Sequence, residues 1–173
     1  MTGFHGEGGR PWYVKAGAVL LGVLAVSAVQ RGVLSHLPWR GVHPDLALVI
    51  VLLVGMQRGS AAGVRWGVAL GAASDVMGGV LVGAHLVSYA VGGYVAGWIS
   101  QRIFRDTVLI PMAIVAGLTV ACHVIYQGIA QGFGFALPWP EGLRAMALPM
   151  ALYNGILVVP VHWVLARWGA RPA

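Results

Sequence analysis

Apolar residues dominate this chain in long runs separated by short polar breaks, and the runs predict helices that cross a bilayer. Six stretches stand out, roughly 12–36, 45–57, 60–77, 80–100, 107–132 and 144–166. A spanning helix needs about 20 apolar residues, because each residue rises about 1.5 Å and the hydrocarbon core is about 30 Å thick. The second run, 45–57, falls short of that length. Its flanks extend it, or it merges with the third as a bent hairpin around Gly55 and Gly59, which would reduce the count to five. The breaks are short. Residues 1–11 form a polar, Gly-rich tail, and 37–44 form a loop in which Trp39 sits at the interface and Pro44 starts the next helix. Residues 101–106 make the fourth and fifth spans antiparallel neighbours, and 133–143 form an aromatic, Pro-rich loop expected to lie flat in the interface. The expected organisation is one polytopic transmembrane domain over 12–168, with short tails at 1–11 and 169–173.

Composition agrees with the pattern. Of 173 residues, 58% are hydrophobic and 9% charged, and the mean hydropathy is +0.80. A soluble domain carries roughly 25% charged residues, so this chain lacks the polar surface to cover itself in water. The expected fold class is an all-α integral membrane protein. Arg10, Lys15 and the apolar run ending Val26-Ser27-Ala28 imitate a cleavable leader, but the apolar character continues past Ala28 and reads as an uncleaved first span.

The net charge of +6 raises the question of nucleic acid. The basic residues occur singly and follow the spans instead. With the N-terminus inside, Arg10, Lys15, Arg58, Arg65, Arg102, Arg105, Arg167 and Arg171 lie in the cytoplasm, against Arg31, Arg40 and Arg144 outside. That asymmetry follows the positive-inside rule and places both termini in the cytoplasm. No nucleic-acid partner is expected.

Chemistry is sparse. Asp75 ends a ladder, Gly63, Gly67, Gly71, Asp75, whose spacing of four puts all four positions on one helix face. Such a face admits a second backbone, and Gly93 with Gly97 and Gly128 with Gly132 are further small-xxx-small pairs. The neighbour is either another helix of the chain or a partner's helix. An acid inside an apolar helix must face protein or water, and Asp75 is expected to accept hydrogen bonds and hold the turn at Gly78-Gly79. Asp45, just after Pro44, suits a first helical turn. Asn154, Tyr153, Gln127 and Tyr126 are expected to hydrogen-bond across helices. Asp45, Asp75, His43 and His85 fall at one end of the spans, but no pair has ligand spacing on one helix, so no metal is assigned. Cys122 has no partner for a disulfide. No nucleophile with a base, paired carboxylates or phosphate loop is visible; no catalytic residue and no cofactor are expected.

Several of these residues carry a family resemblance. Gly41-Val42-His43-Pro44-Asp45 leads into an apolar helix, followed by Arg58-Gly59, then Gly67, Gly71 and Asp75, then Gly78-Gly79 and Gly83. Tyr89, Gly92-Gly93-Tyr94 and Gly97 follow, then Arg102, Phe104 and Arg105, with Asn154 and Pro160 in the last span. In this order the chain resembles MreD, the rod shape-determining membrane protein of bacteria. The resemblance is densest over 41–106.

The resemblance implies a non-catalytic scaffold of the cell-elongation complex in the bacterial inner membrane. Its implied partner is MreC, with a RodA-type glycan polymerase, a class B penicillin-binding protein and MreB as complex partners in lateral peptidoglycan synthesis. The six-span fold it implies is similar to the substrate-binding subunits of energy-coupling-factor transporters, which keeps a vitamin- or metabolite-binding subunit as the alternative. On the scaffold reading, Gly63, Gly67, Gly71, Gly93 and Gly97 form helix-packing or partner faces, with self-association as a variant. Asp45, Asp75 and Asn154 are structural polar groups.

Overall fold

A computed structural model of the chain describes Gly22, Val26 and residues 42–78, 81–101, 109–135 and 137–169. Over these residues the regular structure is helical. The helices are α1 (Leu46–Arg58), α2 (Ser60–Gly78), α3 (Ala84–Ser100), α4 (Leu109–Gly132), a short turn α5 (Trp139–Gly142), and α6 (Leu148–Gly169). A π-helical segment, Leu143–Ala147, joins α5 to α6. The expected first span, the 101–106 connection beyond Gln101 and both tails lie outside the described residues, apart from helical Gly22 and Val26.

The short run at 45–57 is explained by its position. Nine of the thirteen residues of α1 are buried, among them Leu48, Val49, Val51, Leu52 and Leu53. A helix apolar all round belongs in a core, and α1 is the core: α2, α3, α4 and α6 all pack on it. It does not need full bilayer length because its sides meet protein. It ends at Gly59, whose φ of +88° is a left-handed conformation suited to glycine. The Gly59 N–H caps back to the Gly55 carbonyl at 2.8 Å, and α2 starts at the next residue. The second and third runs therefore form a tight hairpin hinged at one glycine.

Among the described residues, two helices are long and apolar enough to cross a membrane by themselves, Leu109–Gly132 and the continuous stretch Trp139–Val161. The outward faces of the bundle are apolar too. Val87, Val91, Tyr94 and Trp98 form an exposed stripe on α3, and Leu148, Leu152, Ile156, Val159 and Trp163 form one on α6. A bundle apolar both inside and outside has lipid as its solvent.

The expected loop 133–143 needs correction. Its second half is already helical, because Pro138 precedes the turn and Pro140 stands within its first two positions, where a missing N–H costs nothing. The π segment that follows has a local cause. Pro149 has no N–H to give the Ala145 carbonyl and crowds it, and the Leu148 N–H instead reaches the Leu143 carbonyl, five residues back.

Candidate functional site

The glycine ladder is closed by the chain's own α3. A Cβ on Gly67 would lie 2.7 Å from the Ala90 Cα, and one on Gly71 would lie 2.6 Å from the Leu86 Cα. On the facing helix, a Cβ on Gly93 would lie 2.6 Å from the Gly63 carbonyl carbon, and one on Gly97 would lie 2.6 Å from the Ser60 Cα. Gly63, Gly67 and Gly71 thus interlock with Gly93 and Gly97, and all five are buried. In a bilayer, where helix contact releases no water, such close approach of backbones favours association through dispersion. Of the two neighbours considered for these faces, another helix of the chain fills the place. Gly128 and Gly132 behave differently: both are exposed, with only the Trp139 ring within 4 Å of a Cβ on Gly128.

At the upper end of this seam Asp75 is 2% exposed. Its Oδ2 accepts the N–H groups of Gly83 at 2.8 Å and Leu86 at 3.1 Å. Its Oδ1 accepts the His85 N–H at 2.9 Å and lies 2.9 Å from His85 Nδ1. The start of a helix leaves its first N–H groups without intrahelical partners. Gly83, at φ +100°, has no side chain to cap them, so the carboxylate of the preceding helix does so. Asp75 thereby joins α2 to the start of α3; of the expected turn at Gly78-Gly79, Gly79 lies outside the described residues.

A second acid organises the other helices. Asp45 caps α1 by accepting the Leu48 N–H at 3.0 Å, and the Tyr89 hydroxyl of α3 donates to its carboxylate. The Asp45 N–H donates to Asn154 Oδ1 of α6 at 2.8 Å. Asn154 Nδ2 donates to Thr119 Oγ1 of α4 at 3.2 Å, and that hydroxyl donates to the Val115 carbonyl at 2.8 Å. Asn154 and Thr119 are both 0% exposed, so the chain of bonds runs through the buried centre of α1, α3, α4 and α6. Buried polar groups of this kind stabilise only when each is paired, and here they are paired with one another.

The two acids are near each other through rings. His85, held by Asp75, meets Tyr89 edge-on at 5.5 Å between centroids, and Tyr126 of α4 at 4.5 Å. Beside them opens a cavity of about 190 Å³ lined by Asp45, His85, Tyr89, Thr119, Tyr126 and Met146, with Leu48, Ser88, Cys122, His123 and Met150 completing the wall. Sequence reasoning brought Asp45, Asp75 and His85 to one end of the molecule. His43, the fourth member of that grouping, is exposed. Among the described residues no three His, Cys, Asp or Glu side chains are placed to hold a metal.

The contribution of α4 to this wall was missed. Its signal was present as Thr119, Cys122, His123 and Tyr126, spaced three, four and seven along one helix face. Met146 and Met150 reach the wall from the π segment and the first turn of α6, and where that π segment falls depends on the backbone.

A family model described as rod shape-determining protein MreD matches residues 14–166. No curated protein and no solved structure matches the chain.

Proposed function

This chain belongs to the MreD family, whose members are shape-determining membrane proteins not known for catalysis, and on that footing we propose that it is a non-catalytic scaffold of the cell-elongation complex. It binds MreC and supports lateral peptidoglycan synthesis from the inner membrane. A RodA-type polymerase with its class B penicillin-binding protein, and MreB, take part through the complex. The basic residues orient it with Arg58 and Arg65 toward the cytoplasm, both termini inside, and the Asp45–Asp75 end outward.

The observation that carries this reading is the family match over nearly the whole chain. The use of the polar groups supports it. Asp45, Asp75, Asn154 and Thr119 hold helix ends and helix pairs together, which suits a rigid platform for other membrane proteins.

Because the glycine ladder packs against α3, the partner helix is expected to meet an outer face of the bundle. Affinity purification of the tagged full-length chain from native membranes tests the reading. Recovery of an MreC-like single-span protein is the expected result. Recovery of a transporter's coupling subunit and ATPases in its place would overturn it in favour of the vitamin-binding alternative, which draws its support from the cavity beside Tyr89.

A further inference from the structure

At the end of the bundle away from Asp45 and Asp75, the α1–α2 hairpin carries a second cavity. It measures about 300 Å³ and is lined, among the described residues, by Arg58, Ala62, Arg65 and Trp66. The hairpin brings these residues together. Arg58 is the last residue of α1, Gly59 reverses the chain, and Arg65 and Trp66 stand in the second turn of α2. Ala62 precedes them by three and four residues, on the same helix face, and its methyl group leaves room between the two long arginine side chains.

The sign of the cavity is positive. Both arginines are exposed, and among the described residues neither pairs with a carboxylate. Asp45 caps the other end of α1, about 20 Å along the axis from Arg58, and Asp75 lies about 15 Å beyond Arg65 on α2. The negative end of the α1 dipole and the positive end of the α2 dipole meet at Gly59 and offset each other, so the guanidinium groups decide. The charge pattern of the sequence assigns Arg10, Lys15, Arg102, Arg105, Arg167 and Arg171 to the same side, against Glu7 and Asp106.

A guanidinium is a planar fork of N–H donors that matches phosphate oxygens two at a time. Two of them on one cavity suit a phosphate with net negative charge. The volume lies at the lower end of the roughly 300–1,000 Å³ of small-molecule sites, enough for a phosphate with its ester substituents. Trp66 is half-buried, and its ring lies 3.5 Å from where a Cβ on Gly22 would stand. Tryptophan favours the boundary between hydrocarbon and headgroups. Val68, one turn from Arg65 toward the Asp75 end, is 41% exposed and offers an apolar path for an acyl chain below a bound head. Basic pockets between membrane helices are a recurrent setting for anionic headgroups.

We propose that Arg58, Arg65 and Trp66 form a phosphate site for the headgroup of an anionic phospholipid, with both guanidinium groups on the phosphate oxygens and Trp66 beside the ester region. A zwitterionic head is disfavoured, because its own ammonium cancels the phosphate charge and would face the arginines. The site is independent of the scaffold reading, since it depends only on the hairpin and its charges.

The test uses the full-length protein, purified in neutral detergent and stripped of lipid, with binding followed by native mass spectrometry. Dioleoyl phosphatidylglycerol is expected to bind about tenfold more tightly than dioleoyl phosphatidylcholine. Arg58→Gln and Arg65→Gln should each weaken phosphatidylglycerol about fivefold, as for loss of one basic residue at an anionic surface. Arg144→Gln, which removes the same charge at the exposed π segment, should leave it unchanged. Helical circular dichroism confirms the fold, and Arg65→Lys, which keeps the charge but loses the fork, replaces any variant that fails it and should bind more weakly than wild type. Equal affinity for the two lipids, wild-type binding in folded Arg58→Gln and Arg65→Gln, or an equal loss in Arg144→Gln would overturn the proposal. Competition with glycerol phosphate separates the sources. Phosphatidylglycerol retained against millimolar glycerol phosphate supports the lipid, whereas full displacement would overturn the lipid source in favour of a soluble phosphate ester.

Discussion

The Asp45 backbone N–H donates to the Asn154 side chain across 109 residues of sequence, at 2.8 Å. This bond ties the start of the central helix to the second turn of the last one. Asp45 is also the cap of α1 and the acceptor for Tyr89, so one residue gathers α1, α3 and α6. Through Asn154 and Thr119 it reaches α4 as well. Removing the amide should therefore do more than delete a pair. Asn154→Leu would remove the side-chain acceptor of the buried Asp45 N–H, and a loss of about 1–3 kcal/mol is expected for such a change. Thermal unfolding in detergent checks this, with Leu152→Ala on the exposed side of the same helix as the control near wild type.

The α2–α3 seam makes a sharper demand. The atoms facing Gly67 and Gly71 are backbone atoms of Ala90 and Leu86, which cannot rotate away as a side chain can. Gly71→Ala is expected to cost at the upper end of the about 1–3 kcal/mol for overpacking, and Gly71→Leu to prevent stable insertion of the pair. Gly132→Ala, where a Cβ would meet nothing within 4 Å, should stay close to wild type. Equal stability of the alanine variants at 71 and 132 would show that the seam is looser than described.

Asp75 offers a test of capping by the neighbouring helix. Asp75→Asn keeps the size but turns one acceptor oxygen into an NH₂ facing N–H groups. A loss of roughly 1–3 kcal/mol is expected, as for hydrogen bonds to a charged acceptor. Hydrogen exchange should localise the effect to the amides of Gly83, His85 and Leu86, which the carboxylate holds. A change spread evenly over the helices would argue against a cap.

The turn before α3 depends on backbone conformation. Gly83 stands at φ +100°, where a Cβ is strained even though nothing lies within 4 Å of it. Gly83→Val should cost about 1–2 kcal/mol, and Gly83→Asn less, because asparagine tolerates the left-handed region. Comparing melting temperatures of the two variants separates strain from crowding.

Orientation in the membrane can be read chemically. Val82 is 86% exposed and the native Cys122 is buried. In intact cells a membrane-impermeant maleimide is expected to label Val82→Cys and leave the wild-type chain unlabelled. Labelling only after permeabilisation would reverse the assignment of the Asp45–Asp75 end to the outside.

The membrane class was legible without coordinates, because a chain with so few charges has no means of facing water. The family was legible in the order of Gly67, Gly71, Asp75, Gly83, Tyr89 and Gly93. Glycine spacing marked a face made for close approach, since the helical period depends on the backbone alone. Which helix approaches that face was beyond sequence, because a small-residue stripe is equally suited to a neighbour inside the chain or outside it. Tertiary structure decided for α3, and it also decided that the thirteen-residue run at 46–58 is the buried centre of the bundle. The long-range contacts of Asp45, Tyr89, Thr119 and Asn154 likewise exist only once four helices meet. Composition and periodicity are local properties, and they dictated solvent and secondary structure; pairing is a property of helices in contact, and only packing in three dimensions could assign it.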